Sequence, residues 1–428
     1  MIKKININEH EKKIAYLMLL SLFVDQWNVF IVPMENFFIK NTFIGNNLVF
    51  GLATAAIIGG AAIGSLTGGI LSDRLGRKNI FSINMIIFIV AAIGSAVSTI
   101  PAMFVVFRLT AGVAVGSDLA NCYCFIMESI PPGEREVLGA KNTLMATGAI
   151  LSINFLIMFL ILGNLTYGSI WRIVVMLSVF PALFALIFSF SLKESEIWSY
   201  RRRMFEKEKG IFHFLRELRK DPIRWRTSKF SWISGIASSV EVGTFAFFIP
   251  LIISNLNIAG LINQRLLIIS VYSFGLPAGI LGPKLLPRIG LKNLSVYGYS
   301  ITIISLFGSG LFIILKDFII VPLFMILFVF GNHWNNQPIL DSQSLISSPE
   351  YRGSATGFSN FIAEFPAFLS ISVFPYAAGK IGLGYSTLIL VLAPIVGLVV
   401  SIRVFEEIYG YKGDNPSTKN TAFNEGDA

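Results

Sequence analysis

The stretch Gly69-Ile70-Leu71-Ser72-Asp73-Arg74-Leu75-Gly76-Arg77-Lys78-Asn79 decides how the chain is read. It is a short charged loop fenced by apolar sequence, 47–71 before it and 79–99 after it. Crossing about 30 Å of hydrocarbon takes about 20 apolar residues on a helix, and each flank supplies them. The loop also recurs. Pro287-Arg288-Ile289-Gly290-Leu291-Lys292-Asn293 repeats its Arg, Gly, Lys and Asn at a constant offset of 214 residues, half of the 428-residue chain. Arg135 and Arg352, 217 residues apart, each follow a Ser and a Pro and keep nearly the same period. Parallel repeats of this kind build transport proteins with a substrate site between the two halves.

Outward from the loop, twelve apolar runs are found: 14–39, 47–71, 79–99, 101–128, 139–163, 168–191, 229–254, 263–287, 293–315, 318–345, 354–378 and 382–408. Spanning segments must satisfy their own backbone hydrogen bonds, so these are helices. The predicted fold is all-α and integral to the membrane, with twelve transmembrane helices in two pseudo-symmetric six-helix bundles. The expected divisions are a first bundle at 1–192, a cytoplasmic amphipathic linker at 193–228, a second bundle at 229–410 and a disordered cytoplasmic tail at 411–428. The linker carries Arg201-Arg202-Arg203; a plain solvated tether explains its charge equally well. The first run is too long for a cleavable leader, contains Asp25 and is followed by no small-residue cleavage site.

Composition agrees. The chain is 54% hydrophobic and only 14% charged, with 38 Phe, where soluble domains carry about 25% charged residues. That excludes a soluble enzyme, a disulfide scaffold and a disordered chain. The net charge of +9 is an orientation signal rather than a nucleic-acid footprint. With the amino terminus inside, 28 of the 34 Lys and Arg fall in inner loops and tails. Five (Lys40, Arg172, Arg265, Lys316 and Lys380) fall at the outer margins, and Arg108 lies within a span. The bias predicts a multi-pass protein of the cell membrane with both termini cytoplasmic. Cys122 and Cys124, two apart on a helix, point away from each other. His10, His213 and His333 are scattered, so neither metal nor cofactor is implied.

The loop at 69–78 resembles the signature between helices 2 and 3 of the major facilitator superfamily. Phe107-Arg108-Leu109-Thr110-Ala111-Gly112 with Gly116 resembles that superfamily's helix-4 motif. Glu128 through Arg135 and Glu194-Ser195-Glu196 resemble its sugar-porter and metabolite–proton symporter branches. There are departures. Asn28 stands where the metabolite branch carries a second helix-1 Asp, and Pro287 stands where the second loop would carry Asp. The run 139–163 has no Pro, unlike drug antiporters of the superfamily.

Gly60, Gly64 and Gly68 make a small-residue stripe for close helix packing, and Gly69 removes the side chain where the loop meets its neighbour. Asp73 can accept hydrogen bonds from a helix amino end and complement its dipole; the resemblance makes that neighbour helix 11. The expected cytoplasmic gate is Gly69, Asp73, Arg74, Gly76, Arg77, Glu128 and Arg135, with Arg288, Arg352 and Glu194 as a second-half counterpart. Ordinary orientation charges are the plainer alternative.

Charges inside the bilayer cost about 2.5–3.5 kcal/mol each, so those that persist pair or work. Arg108 is the one Lys or Arg well inside a span. The resemblance to proton-coupled sugar porters sets the helix-1 acid beside the helix-4 arginine, which implies Asp25–Arg108 as the proton switch; a permanent structural pair is the alternative. Candidate substrate contacts are Gln26, Asn28, Asp118, Asn121, Glu241, Glu364 and the run His333-Trp334-Asn335-Asn336-Gln337. Five consecutive residues cannot share one helix face, so part of this run packs between helices. Amide groups with a flat indole suit a small polar organic solute.

Rival classes find little. Metalloprotease, nucleophile-elbow and phosphate-loop motifs are missing, so neither an enzyme nor an ATP-driven pump is expected. The expected function is proton-coupled symport of a small polar solute, a sugar or related metabolite, by alternating access. The expected partners are that solute, protons and lipid, with no nucleic acid, in a monomer. An uncoupled uniporter, or an exporter of an organic or cationic solute, is the alternative.

Overall fold

The structure is a computed structural model that describes residues 9–43, 47–204, 211–254 and 260–411. Among the described residues there are helices and no strands. The first six crossings are helix 1 (Glu9–Thr42), helix 2 (Asn47–Leu75), helix 3 (Arg77–Ala96), helix 4 (Pro101–Ser129), helix 5 (Asn142–Leu162) and helix 6 (Tyr167–Ser189). Helix 7 is Pro222–Ser254. Helices 8 and 9 share the continuous stretch Leu261–Ile314, divided at Gly290, whose φ of 77° and ψ of 171° are not helical. Helices 10 (Val321–Ile346), 11 (Arg352–Ile381) and 12 (Leu383–Arg403) complete the set. The fold is therefore a twelve-crossing helical membrane protein of two six-helix bundles.

Short helices fill the connections: Glu134–Gly139 between helices 4 and 5, and Glu196–Met204 and Ile211–Leu218 between helices 6 and 7. The last two lie within the stretch expected as a linker. Of the expected tail, residues 412–428 lie outside the described residues.

Large apolar side chains such as Phe159, Phe180, Val106, Ile304 and Leu392 stand mostly exposed on the outside. In water such a surface would aggregate; in a bilayer it is the solvent-matched face. The interior is held by close backbone approach. A Cβ on Gly64 would come within 2.0 Å of the Val113 carbonyl oxygen, and one on Gly116 within 1.9 Å of that of Ala61. The small-residue stripe of helix 2 thus docks on the glycines of helix 4.

The halves meet where helix 2 packs against helix 11, helix 5 against helix 8, helix 4 against helices 10 and 11, and helix 1 against the end of helix 7. Helix 7 is interrupted by a π-helical turn, Val242–Ala246. Such turns mark places where the backbone departs from regular pairing, frequently at functional sites.

Candidate functional site

A cavity of about 150 Å³ lies between the two halves. Helix 1 contributes Asp25, Gln26 and Phe30; helix 5 contributes Asn142 and Thr143. The second half supplies Ser238, Val242 and Gly243 around the π turn, Asn332, His333 and Asn336 from helix 10, and Asn360 and Glu364 from helix 11. Phe30, Phe247, Phe328 and Tyr272 form aromatic walls, and Phe30 meets Phe247 across the seam with ring centroids 5.3 Å apart. The described lining has two carboxylates, Asp25 and Glu364, and neither Lys nor Arg.

Of the residues expected to contact substrate, Gln26, His333, Asn336 and Glu364 line this cavity, as does Asp25. His333 Nε2 lies 2.7 Å from Thr147 Oγ1 across the seam. The others do not line it. Asn28 donates to the Val24 carbonyl within its own helix at 3.0 Å. Asp118 is buried inside the first half, accepting from Ser21 and, at 3.2 Å, from Asn84. Asn121 belongs to the loop end of helices 2 and 3, bonding Ser72 and the Arg77 carbonyl. Glu241 is buried behind the π turn and accepts from Asn335 at 3.3 Å. Trp334 donates to the Ala278 carbonyl at 3.1 Å, and Gln337 reaches across to Thr143 at 3.1 Å. The reason is helical phase: His333 and Asn336 are three apart and share a face, while Trp334 and Asn335 point to other neighbours.

Asp25 and Arg108 are not paired. Both Asp25 oxygens are buried without a hydrogen-bond partner. Arg108 donates instead to the Asn28 carbonyl, and its Nε and NH1 are unpartnered. The charged neighbour of Arg108 is Glu35, on helix 1 two turns beyond Asn28, and no ion pair joins the two. The sequence reading passed over Glu35, although its place inside an apolar run is a signal in itself.

At the end of the bundle carrying the 69–79 loop, the halves are bonded together. Asp73 Oδ1 accepts from the Gly353 amide at 2.9 Å, and Oδ2 from the Ser354 amide and hydroxyl at 2.7 and 2.6 Å. These amides open helix 11, where the helix dipole favours an anion. The contact is possible because Gly69 and Gly353 leave no room for more: a Cβ on Gly69 would meet the Gly353 carbonyl oxygen at 2.3 Å. Arg77 then bridges Asp73 at 2.8 Å and Glu128 at 2.9 Å, and Arg352 from the other half reaches Glu128 at 3.4 Å. Arg74 lies beside this cluster, its carbonyl accepting from Arg202 at 2.9 Å.

Three expected gate members sit differently. Arg135 does not join Arg77. It donates to the Met127 carbonyl at 3.0 Å and to the carbonyl of Tyr411, in the second half's closing segment. Arg288 is exposed, and among the described residues no ion pair joins it to the cluster. Glu194 belongs to the first half: it caps helix 3 by accepting from the Arg77 amide at 2.9 Å, beside Gly76 with its φ of 99°. The second-half counterpart of Glu194 is Glu407, which accepts from the Leu291 and Lys292 amides at 3.0 Å each, beside Gly290. The loop repeat is real, but its second copy is completed by a residue the motif did not include.

A helical membrane protein with two bundles closed around a central polar cavity is a transport protein rather than an enzyme. Residues 16–371 match the family description Major Facilitator Superfamily, and the chain belongs to that superfamily. It is 25% identical over 408 residues to a glucose transporter of Staphylococcus epidermidis, covering 85% of this chain and 87% of that one. It is 26% identical over 383 residues to a probable metabolite transport protein of Bacillus subtilis, covering 81% of each. Its fold matches the proton:xylose symporter XylE bound to 6-bromo-6-deoxy-D-glucose with a TM-score of 0.80, at 18% identity, over 94% of this chain and 97% of that one. The partially occluded inward-open form of XylE from E. coli matches with a TM-score of 0.75 at 18% identity, over 94% of this chain and 99% of that one.

Proposed function

We propose that the protein carries a small neutral polar solute, a sugar or related polyol, into the cell together with a proton, by alternating access. It works as a monomer in the cell membrane, with both termini and the Asp73 end in the cytoplasm. One observation carries this reading: the cavity between the halves holds an acid, Asp25, whose two oxygens have no hydrogen-bond partner. A carboxylate so placed is costly when charged and unpaired. Its protonation state is therefore tied to what occupies the cavity and to which mouth is open.

The solute class follows from the wall. Amide, hydroxyl and imidazole groups offer donors and acceptors, and aromatic faces cover the apolar side of a ring. Two carboxylates without a lining Lys or Arg disfavour an anion. The glucose-transporting relative and the xylose-transporting structural neighbour support the same class. Arg108 is the partner Asp25 gains in another state of the cycle. Its two unpartnered nitrogens and its place on the adjoining helix support that role.

The test is transport by the purified protein in proteoliposomes, with D-glucose, D-xylose and myo-inositol as probes. A proton gradient, acid outside, is expected to drive accumulation. Asp25→Asn is expected to abolish accumulation yet keep counterflow exchange. Undiminished uphill uptake by that variant would remove Asp25 from the coupling step.

A further inference from the structure

The end of the bundle opposite Asp73 holds a charge cluster, two of whose members, Glu35 and Arg265, belong to no motif. Glu35, on helix 1, is fully buried, and neither of its carboxylate oxygens has a hydrogen-bond partner. Among the described residues no ion pair joins it to a cation, but Arg108 from helix 4 of the same half and Arg265 from helix 8 of the other are its charged neighbours, and Arg265 bonds the carbonyl of Met34, the residue before it. Arg265 is only 4% exposed. Its anchors all lie across the seam. NH1 donates to the Met34 carbonyl at 2.7 Å and to Asn154 Oδ1 at 3.0 Å, and the guanidinium stands 5.3 Å from the centre of the Phe38 ring. Met34 and Phe38 are on helix 1 and Asn154 is on helix 5, so a cation of the second half is docked wholly on the first.

A buried guanidinium needs both charge compensation and hydrogen-bond acceptors. Arg265 has its acceptors, and the Glu35 charge near them, only while the halves touch at this end. When they part, Arg265 leaves with helix 8 and regains water. Glu35 still has Arg108 as a charged neighbour within its own half. The arrangement has two states, and in each of them Glu35 has a cation near it.

We propose that Arg265 and Glu35 form the latch that shuts the outer mouth, with Arg108 holding Glu35 in place when the latch is open. The assignment of this mouth to the outside rests on the orientation given under Proposed function; the latch itself does not. Asp73 and helix 11 do the corresponding work at the other end, with opposite chemistry: there an anion of the first half is held by the second, here a cation of the second half is held by the first.

The experiment reads mouth opening at a cysteine placed at position 247, where Phe247 meets Phe30, in a background with Cys122 and Cys124 replaced by Ala. Reconstituted protein is treated with a membrane-impermeant maleimide from either face. Arg265→Gln and the nearly isosteric Glu35→Gln are each expected to raise labelling from the outer face by about tenfold. Arg265→Lys keeps the charge without the fork and is expected to fall between. Asp73→Asn, which loosens the other mouth, is expected to lower outer labelling. Enhanced labelling only from the cytoplasmic face would uphold the latch and overturn the orientation. Parental labelling in both Arg265→Gln and Glu35→Gln, in protein that still elutes as a monodisperse peak, would overturn the latch. So would an equal rise in Asp73→Asn, because the effect would then be general loosening.

Discussion

The two mouths of the cavity close by different means. At the Asp73 end, closure is distributed: Asp73 grips the first amides of helix 11, and Arg77, Glu128 and Arg352 link the halves a second time. At the Arg265 end, closure is concentrated in one guanidinium with two acceptors and one ring, near the buried Glu35. A distributed lock buries several charges that depend on one another; a concentrated one rests on a single cation. A protein that must open at both ends in turn needs the two locks to be comparable in sum, whatever their construction.

This difference can be tested by force at each end. The largest expected effect is on stability. Glu128 is fully buried at its carboxylate, between Arg77 and Arg352. Glu128→Gln leaves the buried Arg77 with Asp73 alone and takes the carboxylate from Arg352, and is expected to destabilise the fold by about 3–5 kcal/mol. Arg265→Gln leaves Glu35 with Arg108 and is expected to lose less, about 1–3 kcal/mol. Thermal unfolding in detergent orders the two, and equal losses would erase the distinction between a network and a single latch.

A smaller effect concerns balance. If the two locks oppose each other across one cavity, weakening both restores the parental distribution. The double variant Asp73→Asn/Arg265→Gln is therefore expected to label at position 247 within about threefold of the parent, although each single variant departs from it in opposite directions. Labelling as high as in Arg265→Gln alone would show that the Asp73 contacts contribute nothing to closure.

The smallest expected effects separate the repeat from the locks. Glu194 caps helix 3 and Glu407 caps helix 9 through the same pair of amide bonds. Glu194→Gln and Glu407→Gln are each expected to lower stability by about 1–2 kcal/mol, the worth of a charged acceptor on amide donors. Matched losses support equivalence of the two caps. A much larger loss for Glu194 would tie it to the neighbouring Arg77 cluster as well.

Span by span, the fold was legible in the sequence because hydrocarbon imposes a length and an apolar composition that few other constraints imitate. The repeat was legible because both bundles need the same tight turn, with Gly76 and Gly290 at positive φ. Glu407 was not, because a cap is defined by which amides it faces and can enter from a distant part of the chain.

The cavity was legible in part. The polar run at 333–337 announced that helix 10 faces something polar, but a helix turns about 100° per residue, and sequence does not say which sector faces inward. Packing against helices 5, 7 and 8 chose His333 and Asn336 for the cavity and sent Asn335 to Glu241 and Trp334 to Ala278. Arg265 is the sharpest case. Its closeness to the outer margin made it one more marker of membrane topology, yet it is buried and bonded to the other half. Sequence alone settled the number of crossings, their pairing into halves and the loop that joins helices 2 and 3, because those follow from local composition. Which charges meet, and across which seam, was decided only when the halves docked, because an ion pair depends on distances between helices that the chain does not encode locally.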